Sequence, residues 1–330
     1  MLMQLTLLVA ALLALGYLST RLVRVINSVS IYFRVPKFFL SFIVLGLGTS
    51  LPDLMIAGVS SSRGQLSLVL GEIIGANVAL LCLIVGFVVF VKDGLRVREK
   101  TVLENFGWLF FVLAIPFFLL LDNKLTFIEG IILVVVYLMY VYNVSEQEVF
   151  HKKEASVQTE LKLGDEPPEL KFYKHLFGRE IIKLVAFLGL VVLVANVVVD
   201  QAVLLSGALG VPSMLIGLTV VALGVTLPEL VLNLSALKAR EEEVVWGDLI
   251  GSFTTELTLV LGVAAIFSNG ADSLFNFAQA LTGYGFMAMC FLLIFLFAYS
   301  SKRLSKTQGI ALMLLYVIFL SLQVDLLAVA

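Results

Sequence analysis

The chain is short of what a soluble domain uses to face water. Only 14% of its 330 residues are charged and 60% are apolar, against roughly 25% and 45–50% in ordinary soluble domains. That excludes a soluble globular protein. Histidine is confined to His151 and His175, and cysteine to Cys82 and Cys290. Two cysteines inside apolar runs make neither a disulfide framework nor a metal cluster, and both are read as packing residues. A net charge of -2 offers no basic surface for nucleic acid. What the chain has instead is 25 glycines and 25 phenylalanines, with a mean hydropathy of +1.06. This is the composition of a protein whose solvent is mostly lipid.

The few charges are unevenly placed. Fifteen of the 46 lie between Glu146 and Lys183, and Pro167-Pro168 falls among them. Residues 146–179 are therefore expected to form a charged linker between two apolar units, 1–145 and 180–330. A helix needs about 20 apolar residues to cross a bilayer. Ten such runs are found, at 3–23, 36–62, 66–91, 104–121, 125–143, 181–200, 212–238, 243–267, 274–298 and 307–327. The expected fold is an all-α membrane protein with five spans in each half. The first run has no preceding basic residue and no small-residue cleavage site, so it is read as a transmembrane helix rather than a cleaved signal. With the N-terminus outside, 20 of the 22 Lys and Arg residues lie on the cytoplasmic side, leaving only Arg63 and Lys124 outside. That asymmetry follows the positive-inside rule. Both termini are expected outside and the linker in the cytoplasm.

One ungapped offset, 176, superposes the halves. Residues 47–54, LGTSLPDL, fall on 223–230, LGVTLPEL; residues 71–75, GEIIG, fall on 247–251, GDLIG; and Gly86 falls on Gly262. Because each half has an odd number of spans, the second enters the membrane upside down. Inverted repeats of this kind place a substrate site at their interface near the bilayer midplane in secondary transporters.

The repeated residues suit a cation. Asp53 and Glu229 stand mid-span, where a carboxylate costs about 2.5–3.5 kcal/mol on insertion scales. Pro52 and Pro228 lack the N–H that would bond the carbonyls of Gly48 and Gly224, so helices two and seven are expected to break there. Carboxylate, carbonyl and hydroxyl oxygens are ligands for a hard cation such as Ca²⁺ or Na⁺. Softer metals would call for imidazole or thiolate; both histidines lie in the linker, and Cys82 is expected on another helix face. A third central acid, Glu256, follows Ser252 by one turn of span eight. Their counterparts in span three are Leu80 and Ala76, so the site is asymmetric. Ser252, Thr255 and Thr258 are alternatively bonded to their own helix backbone, and Glu256 is alternatively a satisfied structural carboxyl. Glu72 and Asp248 share a repeat position and are expected to line the outer and inner mouths of the ion path. The alternative is that they are solvated acids at helix ends. Glu241-Glu242-Glu243 reads as a solvated loop between spans seven and eight.

The two motifs, GTSLPD and GVTLPE, each followed by G-[ED]-[IL]-I-G-[AS], resemble the paired alpha repeats of the sodium/calcium exchanger family within the calcium/cation antiporter superfamily. The resemblance covers most of the membrane part. It implies a ten-helix inverted-repeat fold exchanging Ca²⁺ for Na⁺ by alternating access. By position, the ion ligands it implies are Thr49, Ser50, Asp53, Val225, Thr226, Glu229, Ser252 and Glu256. The sequence departs from that family at Asp53 and Glu72, where Glu and Asn are usual, at Ala76 and Leu80, where Ser and Asn are usual, and at Val225, which replaces a threonine. Loss of oxygen ligands at Ala76 and Leu80 weakens the case for several Na⁺ sites more than for Ca²⁺, so Ca²⁺/H⁺ exchange is the second reading. A non-transporting membrane partner protein is the third. No enzyme is expected, because no His, Ser or Cys constellation lies at a common depth. The ions are cargo and no cofactor is called for. The expected partners are the lipid of a cytoplasmic membrane of prokaryotic type and inorganic cations.

Overall fold

A computed structural model describes residues 2–32, 50–97, 99–156, 170–239, 242–268 and 277–329. Ten helical segments occur among them. In chain order these are α1 (Leu2–Tyr32), α2 (Leu51–Ser62), α3 (Leu66–Lys92), α4 (Glu99–Leu119), α5 (Phe127–Ser156) and α6 (Leu170–Leu209). They continue with α7 (213–239), α8 (242–267), α9 (Phe277–Ser301) and α10 (Lys306–Val329). Seven carry an apolar stretch long enough to cross a membrane; α1 and α4 carry shorter ones, and α2 is described only from Leu51. Two short strands, β1 (Leu95–Arg96) and β2 (Arg303–Leu304), pair antiparallel at the ends of α3 and α9.

The helices sort by what they face. The apolar windows of α3 and α8 are each 83% buried, whereas those of α5 and α10 are 28% buried. The pair α3 and α8 therefore forms the protein interior, and the outer helices present leucine and valine to lipid, where apolar exposure carries no penalty. One apolar cluster joins α3 and α8 to α4, α5, α9 and α10. A second, smaller cluster packs α1 and α6 together and onto α2 and α7.

Glycine sets the crossings. A Cβ added at Gly71 would stand 2.0 Å from the Met214 carbonyl oxygen, and one at Gly217 would stand 2.3 Å from that of Leu68. The backbones of α3 and α7 thus touch, as small residues allow between membrane helices. The repeat reappears in the packing: Gly86 of α3 abuts Gly309 of α10, and its counterpart Gly262 of α8 abuts Gly130 of α5.

The structure adds detail to one expectation and corrects another. Of the linker 146–179, residues 146–156 prolong α5, residues 170–179 open α6, and 157–169 lie outside the described residues. The reason is local: Glu, Lys, Gln and Ala are good helix formers whatever their polarity. Glu242 is no solvated loop residue. It opens α8, pairs with Lys92 at the end of α3 and accepts a hydrogen bond from the Arg96 amide at 2.9 Å. Trp246 donates to the Arg96 carbonyl at 2.8 Å, completing this pin between the halves.

Candidate ion-binding site

Both motif helices start their acid-bearing part at a proline. Ser50 precedes α2 in a non-helical conformation, and Pro52 sits in its first turn. Gly48 and Thr49, named above as site residues, lie outside the described residues. In α7 the break is a single residue, Thr226, between Ala222–Val225 and Leu227–Ala239. Thr226 donates its hydroxyl to the Leu223 carbonyl at 3.1 Å, and Pro228 has no N–H for the Gly224 carbonyl. Leu12 of α1 lies on the break, so close that a Cβ at Gly224 would stand 2.6 Å from its Cδ1. Helix α7 also contains a π-helical turn at Gly217–Val221, and α3 and α8 contain π turns at Ala79–Ile84 and Glu256–Val260. The last two overlap under the 176-residue offset. Such turns recur at functional sites because they release carbonyls from the regular ladder.

Two hairpins bring the acids level. The turn at Arg63–Gln65, with Gly64 at φ +71°, folds α3 back along α2. Asp53 lies ten residues before this turn and Glu72 seven after it, so their carboxyls meet. In the second repeat α7 and α8 pack together, with Glu229 and Asp248 as charged neighbours. Glu256 has Glu229, Asp53 and Asp248 as charged neighbours. All five acids are buried, Glu72 being 0% and Asp248 2% exposed. Neither Glu72 nor Asp248 therefore lines an open mouth in this conformation; each stands beside the motif acid of its own repeat. The cause is the hairpin, which places a residue one or two turns inside its helix opposite the middle of the preceding one.

Oxygens without hydrogen-bond partners among the described residues crowd this region. They include one each on Asp53, Glu229, Asp248 and Glu256, both of Glu72, and the hydroxyls of Ser50 and Ser252. The Ser252 hydroxyl lies beside the Glu229 carboxyl. Thr255 and Thr258, by contrast, are bonded to carbonyls four residues back, at 2.7 and 2.5 Å. Ala76, Leu80 and Val225 are buried and apolar. Cys82 faces Cys290, both as buried free thiols. Among the described residues no three His, Cys, Asp or Glu side chains close around one point.

One residue escaped the reading of the sequence. Asn233, one turn after Glu229 on α7, donates to Oδ2 of Asp248 at 2.6 Å and to the Glu229 carbonyl at 2.8 Å. Its signal was an amide four residues from an acid inside a membrane helix, a place where polar groups are costly.

A family model described as sodium/calcium exchanger protein matches residues 3–145 and 180–324. The sodium/calcium exchanger MaX1 of Methanosarcina acetivorans is 25% identical over 320 residues, covering 87% of this chain and 88% of that protein. Two solved structures share the fold. The sodium-calcium exchanger NCX_Mj aligns with a TM-score of 0.60 at 23% identity, over 97% of this chain and 99% of that one. The H⁺/Ca²⁺ exchanger CAX aligns with a TM-score of 0.72 at 17% identity, over 99% and 85%. The ten-helix inverted-repeat architecture is common to them.

Proposed function

As the chain belongs to the sodium/calcium exchanger protein family, we propose that it is a secondary active antiporter exchanging Ca²⁺ for Na⁺ across the membrane by alternating access. The observation that carries this reading is the set of buried acids on α2, α7 and α8, Asp53, Glu229 and Glu256, each with an oxygen that no described residue satisfies. Ser50, Thr226 and Ser252 would add hydroxyl or carbonyl oxygens, Val225 and Gly224 backbone carbonyls, and Gly48 and Thr49 the matching groups of the first repeat. Six to eight such oxygens suit Ca²⁺.

Exchange follows from charge. The empty site carries several buried negative charges, and moving them past an apolar barrier is expensive. Ca²⁺ or several monovalent cations lower that cost, so the protein reorients chiefly when loaded. The protein would lie in the cytoplasmic membrane with both termini outside and the linker 146–179 inside, a reading supported by the distribution of Lys and Arg.

A second reading, Ca²⁺/H⁺ exchange, is favoured by the apolar Ala76 and Leu80, which remove oxygens from the first half of the site. Purified protein in liposomes separates the readings. Ca²⁺ uptake should follow an imposed Na⁺ gradient; uptake driven only by a pH gradient selects the second reading, and none under either gradient contradicts both.

A further inference from the structure

The internal repeat sets up a comparison between two acids at one structural position. Asp248 of α8 has a protein donor, the Asn233 amide at 2.6 Å. The residue equivalent to Asn233 in the first repeat is Ala57, which is fully buried and has no polar side-chain atom. Glu72, equivalent to Asp248, is 0% exposed, and neither of its oxygens has a hydrogen-bond partner among the described residues. Its carboxyl points instead at that of Asp53, which also carries an unpartnered oxygen. A buried carboxylate with no donor is far from stable alone, and a second one against it makes matters worse.

From this contrast, we infer that Glu72 is a cation ligand, and that Asp53 and Glu72 together hold a divalent hard cation in the first repeat. This rests on the exchange reading above and deepens it. The pair replaces what the first repeat lacks: Leu80, equivalent to Glu256, and Ala76, equivalent to Ser252, offer no oxygen, and Glu72 lies one and two turns before them on the same face of α3. Two carboxylates facing one another leave a double negative charge when ionised, which suits Ca²⁺ rather than one Na⁺. Oxygens continue along α2. The hydroxyl of Ser50, one turn before Asp53, and those of Ser60 and Ser61, two turns after it, are buried and unpartnered among the described residues. The cation position of the first repeat is thus shifted along α3 toward the Arg63–Gln65 turn, relative to the place Glu256 marks on α8.

The test is Ca²⁺ binding by calorimetry to the purified full-length protein, with a parallel Na⁺ titration, for wild type, Glu72→Gln, Glu72→Asp and Glu229→Gln. Loss of a ligand should raise the Ca²⁺ dissociation constant of Glu72→Gln about tenfold or more, with Glu72→Asp between it and wild type. Native Ca²⁺ affinity in both Glu72 variants, with binding abolished in Glu229→Gln, overturns the role of Glu72 and leaves the exchange reading intact. Native affinity in all three variants overturns both. A shift confined to Na⁺ overturns the divalent assignment. If Glu72→Gln does not elute as a single folded species, the charge-conserving Glu72→Asp decides by the same criterion.

Discussion

Asn233 ties α7 to α8 by a 2.6 Å hydrogen bond from its Nδ2 to Oδ2 of Asp248. The equivalent place between α2 and α3 is occupied by Ala57 and makes no such tie. The two halves therefore share a backbone plan but not the polar atoms that restrain their acids.

Asn233→Ala should destabilise the ion-free protein. The change leaves a buried carboxylate without its donor, at a cost of about 1–3 kcal/mol. Thermal unfolding in the absence of Ca²⁺ should show a lower midpoint, and saturating Ca²⁺ should recover part of the loss. An unchanged midpoint would mean that the bond carries no weight.

The α3–α7 crossing depends on absent side chains. Alanine at Gly71 or Gly217 would put a Cβ within 2.0 or 2.3 Å of a facing carbonyl oxygen. Each should destabilise by about 1–3 kcal/mol through forced separation of the helices. At Gly58 of α2 an added Cβ would meet nothing within 4 Å, so Gly58→Ala should be neutral or slightly stabilising. Unfolding midpoints of the three variants, compared in one detergent, check this.

Pro228→Ala restores an N–H that the Gly224 carbonyl can accept. If that carbonyl serves the ion, the variant should weaken Ca²⁺ binding about fivefold, the equivalent of roughly 1 kcal/mol, without lowering the unfolding midpoint. Calorimetric titration reads the first quantity and thermal unfolding the second.

The Lys92–Glu242 pin should respond to acid. Partial burial works against the Glu242 carboxylate, but the Lys92 hydrogen bond and the Arg96 amide outweigh it and hold its pKa below the ordinary value. A lowered folded-state pKa stabilises above the unfolded value of about 4.3 and is lost as pH falls through the folded one. Glu242→Gln should therefore unfold at a lower temperature than wild type at neutral pH. The gap should narrow as pH drops below about 4. A gap independent of pH would contradict the pairing.

Much of this architecture was legible in the chain. The offset of 176, the prolines beside Asp53 and Glu229, and the ten apolar runs depend on local composition, which the sequence carries directly. The extent of α5 and α6 was harder to read, because Glu and Lys favour helix while looking like linker. The partners of Glu72 and Asp248 were not legible. Which oxygen meets which is set by two hairpins and by glycine crossings at Gly71 and Gly217, and none of these leaves a periodic trace. Asn233 was overlooked for the same reason: its spacing from Glu229 was visible, but its reach to Asp248 belongs to the packing of two helices.

The central claim is that the paired-motif acids carry the transported ion. Na⁺-gradient-driven Ca²⁺ uptake into liposomes by Asp53→Asn and by Glu229→Gln tests it most directly, alongside a check that both variants are folded. Both variants should fold, with exchange abolished in each. Uptake at the wild-type rate in either folded variant would contradict it.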